Sequence, residues 1–147
     1  MFLLDTNVIS ESRKLHSGKA DANVTRWLQS TSPVRTFISV FTVFELELGI
    51  RLKERQDAAQ GAALRRWLEA VILPGFAGRI LDPDVEVARR CAALHVPDPA
   101  SDRDAWIAAT ALQHGLTVVT RNIADFQRTG VKLLNPWDSS APLPVQQ

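Results

Sequence analysis

The sequence contains little cysteine and no long apolar segment. Cys91 is the single cysteine among 147 residues, so no disulfide can form within the chain, and an intracellular location is the simpler expectation. No apolar run approaches the ~18 residues that span a bilayer. Only three apolar residues separate Met1 from Asp5, which is too few for a signal peptide. We therefore expect a cytoplasmic protein with no membrane segment.

A strong net charge is also absent. Lys and Arg together number 17 against 16 Asp and Glu, which gives a formal net charge of +1. Proteins that coat nucleic acids without specificity are usually more basic than this. That class is disfavoured, whereas a small local nucleic-acid site is still allowed.

Histidine is scarce as well. His16, His95 and His114 are the three in the chain, and none lies in a recognisable motif. A metal-independent ribonuclease that uses a pair of histidines is therefore a weak alternative.

Short apolar runs alternate with helical patterns, and this alternation predicts an α/β fold. Five runs are too short for helices and apolar almost throughout, which is typical of strands buried on both faces. They cover residues 2–4, 36–40, 79–81, 117–120 and 131–134. Helical spacing between them indicates a mostly parallel five-stranded sheet in a three-layer α/β/α sandwich. We predict one domain over residues 1–137 and a flexible C-terminal tail over 138–147.

Several large or reactive side chains fall at positions typical of a core. Cys91 shares a predicted helix face with Val87 and Leu94, so we interpret it as a small core residue and not as a nucleophile. An apolar stripe at helical spacing over 64–72 is expected to pack mostly against the sheet. Trp137 closes the last predicted strand and is expected to pack against the core.

Acidic side chains follow the first two predicted strands, where open α/β sheets bind ligands. Asp5 ends the first strand, and a purely helix-capping role is its simplest alternative. Glu45 lies in the next helix, beside an apolar stripe. That stripe consists of Phe41, Phe44, Leu48 and Leu52. A carboxylate there is costly without a positive partner, unless it stays hydrated at the edge of the stripe.

Asp104 lies at the start of a helix predicted over 104–114. Ser101, three residues earlier, completes a capping-box pattern, so a structural role for Asp104 is a strong alternative. Asp98 and Asp102 are close in sequence, and spacing alone does not choose among the three acids.

Asn122 follows the fourth predicted strand, and Asp125 comes three residues later. Capping a short helix is the simplest role for Asn122. Because parallel strands end at one edge of a sheet, we expect Asp5, Glu45, Asp104 and this amide to converge. Packed carboxylates raise each other's pKa, and a hard cation such as Mg²⁺ relieves their repulsion. The pattern therefore predicts metal-assisted phosphodiester hydrolysis.

Six short motifs occur in a specific order along nearly the whole chain. They are LLDTNVISE at 3–11, ELELG at 45–49, FAGRIL at 76–81, IAATA at 107–111, TRN at 120–122 and NPW at 135–137. Together they resemble the PIN-domain ribonucleases of the VapC/FitB toxin type. The resemblance implies the toxin of a type II toxin–antitoxin pair, usually a homodimer, that cleaves RNA with Mg²⁺ or Mn²⁺. It also implies a strand order of 3-2-1-4-5 and a VapB/FitA-like antitoxin as partner.

The resemblance also assigns site residues. Asp5, Glu45 and Asp104 match the acids of the family's metal site. The fourth acidic position falls at Asn122, which can hold a water bound to the metal but adds no charge. Asp125, one helical turn later, is a candidate substitute, so the number of metal ions is open.

Other functions remain as alternatives. A haloacid-dehalogenase-type domain would need a second acid two residues after Asp5, where Asn7 stands. A receiver domain would need a phosphorylated Asp after a late strand, where Thr120 and Arg121 stand instead. A catalytically weak PIN-fold module that binds RNA or an antitoxin is the main rival, because Asn122 departs from the acidic pattern.

Overall fold

Five short strands form one sheet at the centre of the computed structural model, which describes residues 1–144. In chain order they are β1 (Phe2–Leu4), β2 (Thr36–Ser39), β3 (Ile80–Leu81), β4 (Thr117–Val119) and β5 (Leu133–Leu134). The pairs are parallel, and the order across the sheet is β3-β2-β1-β4-β5. The predicted strand order is confirmed. Strand β1 is the central strand, so its carboxyl end lies at the middle of the edge where the parallel strands end.

Helices cover both faces of this sheet. They are α1 (Thr6–Ser12), α2 (Ala22–Gln29), α3 (Val40–Gln56), α4 (Ala58–Trp67), α5 (Leu73–Gly75), α6 (Val85–Leu94), α7 (Asp102–His114) and α8 (Ile123–Phe126). A π-helical segment, Leu68–Ile72, joins α4 to α5. None of the helices within residues 1–144 is long and apolar enough to cross a bilayer.

Successive side chains of β1 contribute to the two hydrophobic cores, one on each face of the sheet. Leu4 is buried with Trp27 of α2 on one face. Leu3 is buried with Ile107 of α7 on the other face. Because successive residues of a strand point to opposite sides, the near-continuous apolar runs of the sequence fill both cores. The predicted three-layer α/β/α sandwich is confirmed.

Strands β3, β4 and β5 are one or two residues shorter than the apolar runs that predicted them, and two other boundaries also differ from the sequence prediction. The second strand ends at Ser39, because the Ser39 hydroxyl accepts a hydrogen bond from the Phe41 N–H at 2.9 Å and thereby starts α3 at Val40. Helix α7 begins at Asp102, two residues earlier than predicted, which places Asp104 inside its first turn.

Helix α3 does not bury the apolar stripe that the sequence indicated. Its buried residues are Thr42, Leu46 and Ile50. Phe44, Leu48 and Leu52 keep 53%, 38% and 54% of their surface exposed. Helix α4 packs along a different side of α3, so the stripe formed by these three residues lies largely in solvent.

Helices α3 and α4 approach each other very closely at Gly61. A β-carbon at this position would lie 2.5 Å from the Glu54 Cα atom, so the contact requires glycine. One turn further along α4, Arg65 forms ion pairs with Glu47 and Glu54 of α3. Asp57 forms the tight corner between the helices and accepts from the N–H groups of Ala59 and Gln60.

The segment after the predicted domain boundary begins with a hydrogen-bonded turn. The Asp138 carboxylate accepts from the Ser140 N–H at 2.9 Å, and the Ser139 carbonyl accepts from Arg26 of α2 at 3.0 Å. Residues 145–147 of the predicted tail lie outside the described residues.

Candidate metal centre

Asp5 combines a structural and a potential ligand role. It directly follows β1 and precedes α1, and its Oδ1 atom accepts from the Thr6 N–H at 2.8 Å. Its Oδ2 atom accepts from the Thr120 hydroxyl at 2.8 Å and from the Asn7 amide at 3.4 Å. Only 6% of its surface is exposed. The capping role considered above is therefore real, but it occupies only one of the two carboxylate oxygens.

The pKa of Asp5 is raised above its ordinary value, mainly because burial penalises the charged form. The hydrogen bonds from Thr120 and Thr6 act in the opposite direction, and the charge of Asp125 adds to the increase. A buried carboxylate that remains ionised here would be stabilised by a cation.

Glu45 projects from the second turn of α3 toward the same edge. Its side chain is 27% exposed, and its Oε2 atom lies 3.8 Å from a guanidinium nitrogen of Arg103 on α7. Burial raises the pKa of Glu45, and the negative charges of Asp5 and Asp104 raise it further, whereas a hydrogen bond from Thr6 and the charge of Arg103 lower it. Arg103 is therefore the positive partner that a carboxylate at the edge of an apolar stripe requires.

Asp104 is half-buried in the first turn of α7. Its pKa is raised by burial first and then by the charges of Asp5 and Asp125. A hydrogen bond with the Ser101 side chain and the charge of Arg103 partly offset this increase. Ser101 precedes the helix as its N-cap residue, although its own side chain makes no capping hydrogen bond.

Asn122 and Asp125 lie on the exposed side of the cluster. Asn122 occupies the residue before α8, but its side chain forms no capping hydrogen bond, so the capping role expected for that side chain is not formed. Its backbone N–H donates to the Thr120 hydroxyl at 3.0 Å. Asp125, and not Asn122, adds negative charge near Asp5 and Asp104.

Two residues that position the site were not assigned roles from the sequence. Thr120, fully buried, links Asp5 to the Asn122 backbone. The Asn7 amide group donates to both Asp5 and Thr120. Both residues lie in the DTN and TRN motifs, so the motifs carried a signal, but the direction of the hydrogen bonds requires the fold.

The donor set suits a hard divalent cation. Asp5, Glu45 and Asp104 offer only carboxylate oxygens, the ligand type that Mg²⁺ and Mn²⁺ prefer. Burial first, and the repulsion among neighbouring acids second, raise their pKa values, and a bound cation would stabilise the ionised forms against both. Within residues 1–144, no three acidic, His or Cys side chains are already close enough to enclose an ion. The residues fit a metal ion that is also held by water and phosphate oxygens, not one in a closed protein cage.

A groove of about 340 Å³ opens beside Glu45 and runs between α1, α3 and α4. Its lining combines apolar side chains, among them Leu64 and Trp67, with charged ones of both signs, among them Arg13, Lys53 and Glu11. Glu45 thus belongs both to the acid cluster and to the wall of this groove.

Most of the chain matches one family of known domains. The sequence model of the PIN domain matches residues 2–132. The chain belongs to the PIN domain family. The resemblance drawn from the six motifs is confirmed.

Curated relatives of this PIN domain extend over nearly its whole length. The toxin FitB of Neisseria gonorrhoeae is 41% identical over 143 residues, which cover 93% of this chain and 99% of FitB. The VapC ribonuclease Y4jK of Sinorhizobium fredii is 36% identical over 148 residues, which cover 94% of this chain and 99% of that protein.

Solved structures agree with the fold of the PIN domain. FitAcB from Neisseria gonorrhoeae superposes with a TM-score of 0.84 at 39% identity and covers 93% of this chain and 99% of that chain. A toxin-antitoxin complex from Klebsiella pneumoniae superposes with a TM-score of 0.62 at 28% identity and covers 92% and 98% of the two chains.

Proposed function

We propose that this PIN domain is the toxin of a type II toxin–antitoxin pair and that it hydrolyses RNA phosphodiester bonds with Mg²⁺ in the cytoplasm. Relatives of almost equal length are named a toxin and a ribonuclease. The observation that carries the proposal is the group of carboxylates at the middle of the sheet edge, each with a raised pKa. Its composition fits metal-assisted chemistry on a phosphate.

Asp5, Glu45 and Asp104 would hold the ion, and Mn²⁺ would be an acceptable substitute. Thr120 and Asn7 fix the orientation of Asp5. When bound, the ion supplies Lewis-acid assistance, since it offsets charge on the phosphate and lowers the pKa of water. Arg103 would balance the charge of Glu45 before the ion binds.

The chain's own groups would then direct the attack of a water molecule on phosphorus. Asn122 lies at the edge of the cluster and would orient that water by a hydrogen bond, and the Asp125 carboxylate would accept its proton. A P–O bond to the water oxygen forms as the bond to the 3′ oxygen breaks. The products would therefore carry a 5′-phosphate and a 3′-hydroxyl.

Cleavage of a single-stranded RNA with and without a chelator tests this proposal. We expect cleavage in Mg²⁺, none in EDTA, and none from a folded Asp5→Asn variant. Mg²⁺ at about 100 times its Kd should also stabilise the protein by about 2.7 kcal/mol, which raises the Tm by about 5–10 °C, and Asp5→Asn should abolish this shift. Cyclic phosphate ends that persist after Asp5→Asn would overturn the metal mechanism, whereas RNA binding without cleavage in either metal would favour the binding-module alternative.

We also propose that a VapB/FitA-like antitoxin covers the groove beside Glu45. A solved structure 28% identical to this chain is a toxin-antitoxin complex, and the apolar side chains of Leu64 and Trp67 in the groove lining offer area for a partner segment. Co-expression with the antitoxin tests this: Leu64→Glu should fail to retain the antitoxin but still cleave RNA. Retention equal to wild type would place the antitoxin elsewhere.

We propose that the exposed stripe of α3 is the homodimer interface. Phe44, Leu48 and Leu52 present a continuous apolar surface, which soluble monomers rarely expose. Leu48→Glu should convert a dimer to a monomer in light scattering, whereas Val85→Glu should not, because Val85 is an exposed apolar residue on α6. A wild-type chain that stays monomeric at all concentrations would refute the interface.

A further inference from the structure

Arg121 lies directly beside the acid cluster and is anchored to it through its backbone. It follows Thr120, whose hydroxyl donates to Asp5 at 2.8 Å. Its N–H donates to the Asn7 side-chain oxygen at 3.2 Å, and the Asn7 amide nitrogen lies 3.4 Å from Asp5 Oδ2. The position of Arg121 is therefore fixed relative to Asp5 by a single intervening side chain.

The Arg121 guanidinium rests on the indole ring of Trp137. Its Cζ atom lies 5.3 Å from the ring centroid, within the range of a cation–π contact. Trp137 is a fixed platform, because its N–H donates to Asn135 at 3.0 Å, its carbonyl accepts from Asn23 at 2.9 Å, and its ring packs against the core. Trp137 was predicted only to pack against the core, but its ring also supports a charged group.

The charge of Arg121 is not neutralised by a carboxylate anywhere in residues 1–144. The charge of Arg103 is partly neutralised, because one of its guanidinium nitrogens lies 3.8 Å from Glu45 Oε2. Arg121 is also exposed. A guanidinium stacked on a ring keeps its in-plane N–H donors available, and their fork geometry matches a phosphate.

We propose that Arg121, held on Trp137, binds the RNA phosphate next to the one that is cleaved. This inference rests on the proposed ribonuclease function and adds a substrate-positioning residue to it. The carboxylates of Asp5, Glu45, Asp104 and Asp125 repel the phosphates of an RNA backbone. The fixed guanidinium of Arg121 beside them would hold one phosphate, so that the neighbouring phosphate lies at the acid cluster. Trp137 restricts the guanidinium and so reduces the entropy lost on binding.

RNA binding as a function of salt tests the inference independently of cleavage. Binding of a labelled single-stranded RNA is measured by fluorescence anisotropy in the Asp5→Asn background. Arg121→Ala should weaken binding about tenfold at low salt and reduce the slope of log K against log salt by about 0.7, the value for one lost phosphate contact on a single strand. Arg89→Ala is the matched control, because it removes the same charge from an exposed arginine of α6, which forms an ion pair with Glu86.

Two further variants separate charge from stacking. Arg121→Lys keeps the salt slope but should weaken binding severalfold, because an ammonium lacks the planar fork. Trp137→Leu retains apolar packing and should also weaken binding severalfold at an unchanged slope, with thermal unfolding as the check on its fold. In steady-state cleavage with Asp5 intact, Arg121→Ala should raise KM far more than it lowers kcat.

The outcomes of these experiments distinguish a failure of the Arg121 inference from a failure of the proposed ribonuclease function. If the wild-type chain cleaves RNA in Mg²⁺ but Arg121→Ala and Arg89→Ala bind with the same affinity and slope, the inference is wrong and the proposed function stands. If the wild-type chain neither binds nor cleaves RNA, both are wrong.

Discussion

Thr120 donates a hydrogen bond that favours the ionised form of Asp5, and replacing Thr120 with valine tests that effect. The substitution is nearly isosteric at a fully buried position and removes the 2.8 Å hydrogen bond to Asp5 Oδ2. It also leaves the Asn7 amide and the Asn122 N–H without this acceptor, but neither of these groups is a carboxylate, so only the bond to Asp5 makes the loss depend on pH. A hydrogen bond to a charged group contributes about 1.5–3 kcal/mol. Thr120→Val should therefore lose about 2 kcal/mol at neutral pH, or about 6 °C in Tm.

Thr110→Val is the matched control. Thr110 is 1% exposed, and its hydroxyl donates at 2.8 Å to the neutral Trp106 carbonyl. Losing a neutral hydrogen bond costs about 1 kcal/mol. No carboxylate takes part, so this loss should not depend on pH.

The sign of the pH dependence follows from the pKa of Asp5. Its folded pKa is already raised, so the stability linked to its protonation is present at low pH and is lost as the pH rises through that value. The Thr120 hydrogen bond favours the ionised form, and Thr120→Val must raise the pKa of Asp5 further. The Thr120→Val deficit should be greatest near neutral pH and shrink as the pH falls through the folded pKa.

Thermal unfolding in EDTA over a series from about pH 8 to about pH 4 measures this difference. In RNA cleavage, the acidic limb of the rate profile should move to higher pH in Thr120→Val. A deficit that is equal in size to that of Thr110→Val and constant with pH would refute the view that Thr120 acts through the charge of Asp5.

Three further predictions concern charge and packing. Asp104→Asn should raise the Tm in EDTA while abolishing cleavage, because a neutral amide avoids the cost of burying a charge, which is the main cause of the raised pKa of Asp104, and the repulsion from Asp5 and Asp125; a lower Tm would contradict this. Gly61→Ala should lower the free energy of unfolding by about 1–3 kcal/mol, because the added methyl group overpacks against Glu54. Gly49→Ala, which has open space around it, should raise the free energy of unfolding by about 0.5–1 kcal/mol through helix propensity. Denaturant unfolding of both variants provides the comparison. Asn122→Asp should lower the Mg²⁺ concentration for half-maximal cleavage severalfold, since it adds a carboxylate beside Asp125; an unchanged requirement would indicate that one metal ion suffices.

The sheet was predictable from the sequence because its signal is local. Short, continuously apolar runs identify strands buried on two faces, and the acids that follow them must gather at one edge. Asp5 and Glu45 therefore required only the strand positions. Asp104 required the family motif in addition, since Asp98 and Asp102 fitted the spacing equally well.

The rotation of α3 was not predictable in the same way. The helix carries apolar residues on two sides, one containing Leu46 and the other Leu48, and the sequence pattern does not say which side meets the sheet. That choice is made by the Ser39 cap and by the close contact at Gly61. The pairing of Arg103 with Glu45 depends on the distance between α7 and α3, which no motif encodes.

Strand β2 continues directly into helix α3 without a linker, so the number of residues between Ser39 and Glu45 determines which way the Glu45 side chain points. Ser39 is both the last residue of the strand and the cap of the helix, and Asp5 joins β1 to α1 in the same way. One residue inserted at either joint would turn the helix by about 100° and carry its acid away from the cluster. The loop between α6 and α7 has no such constraint on its length. A single residue inserted after Ser39 would therefore keep the helix but move Glu45 away from Asp5 and Asp104.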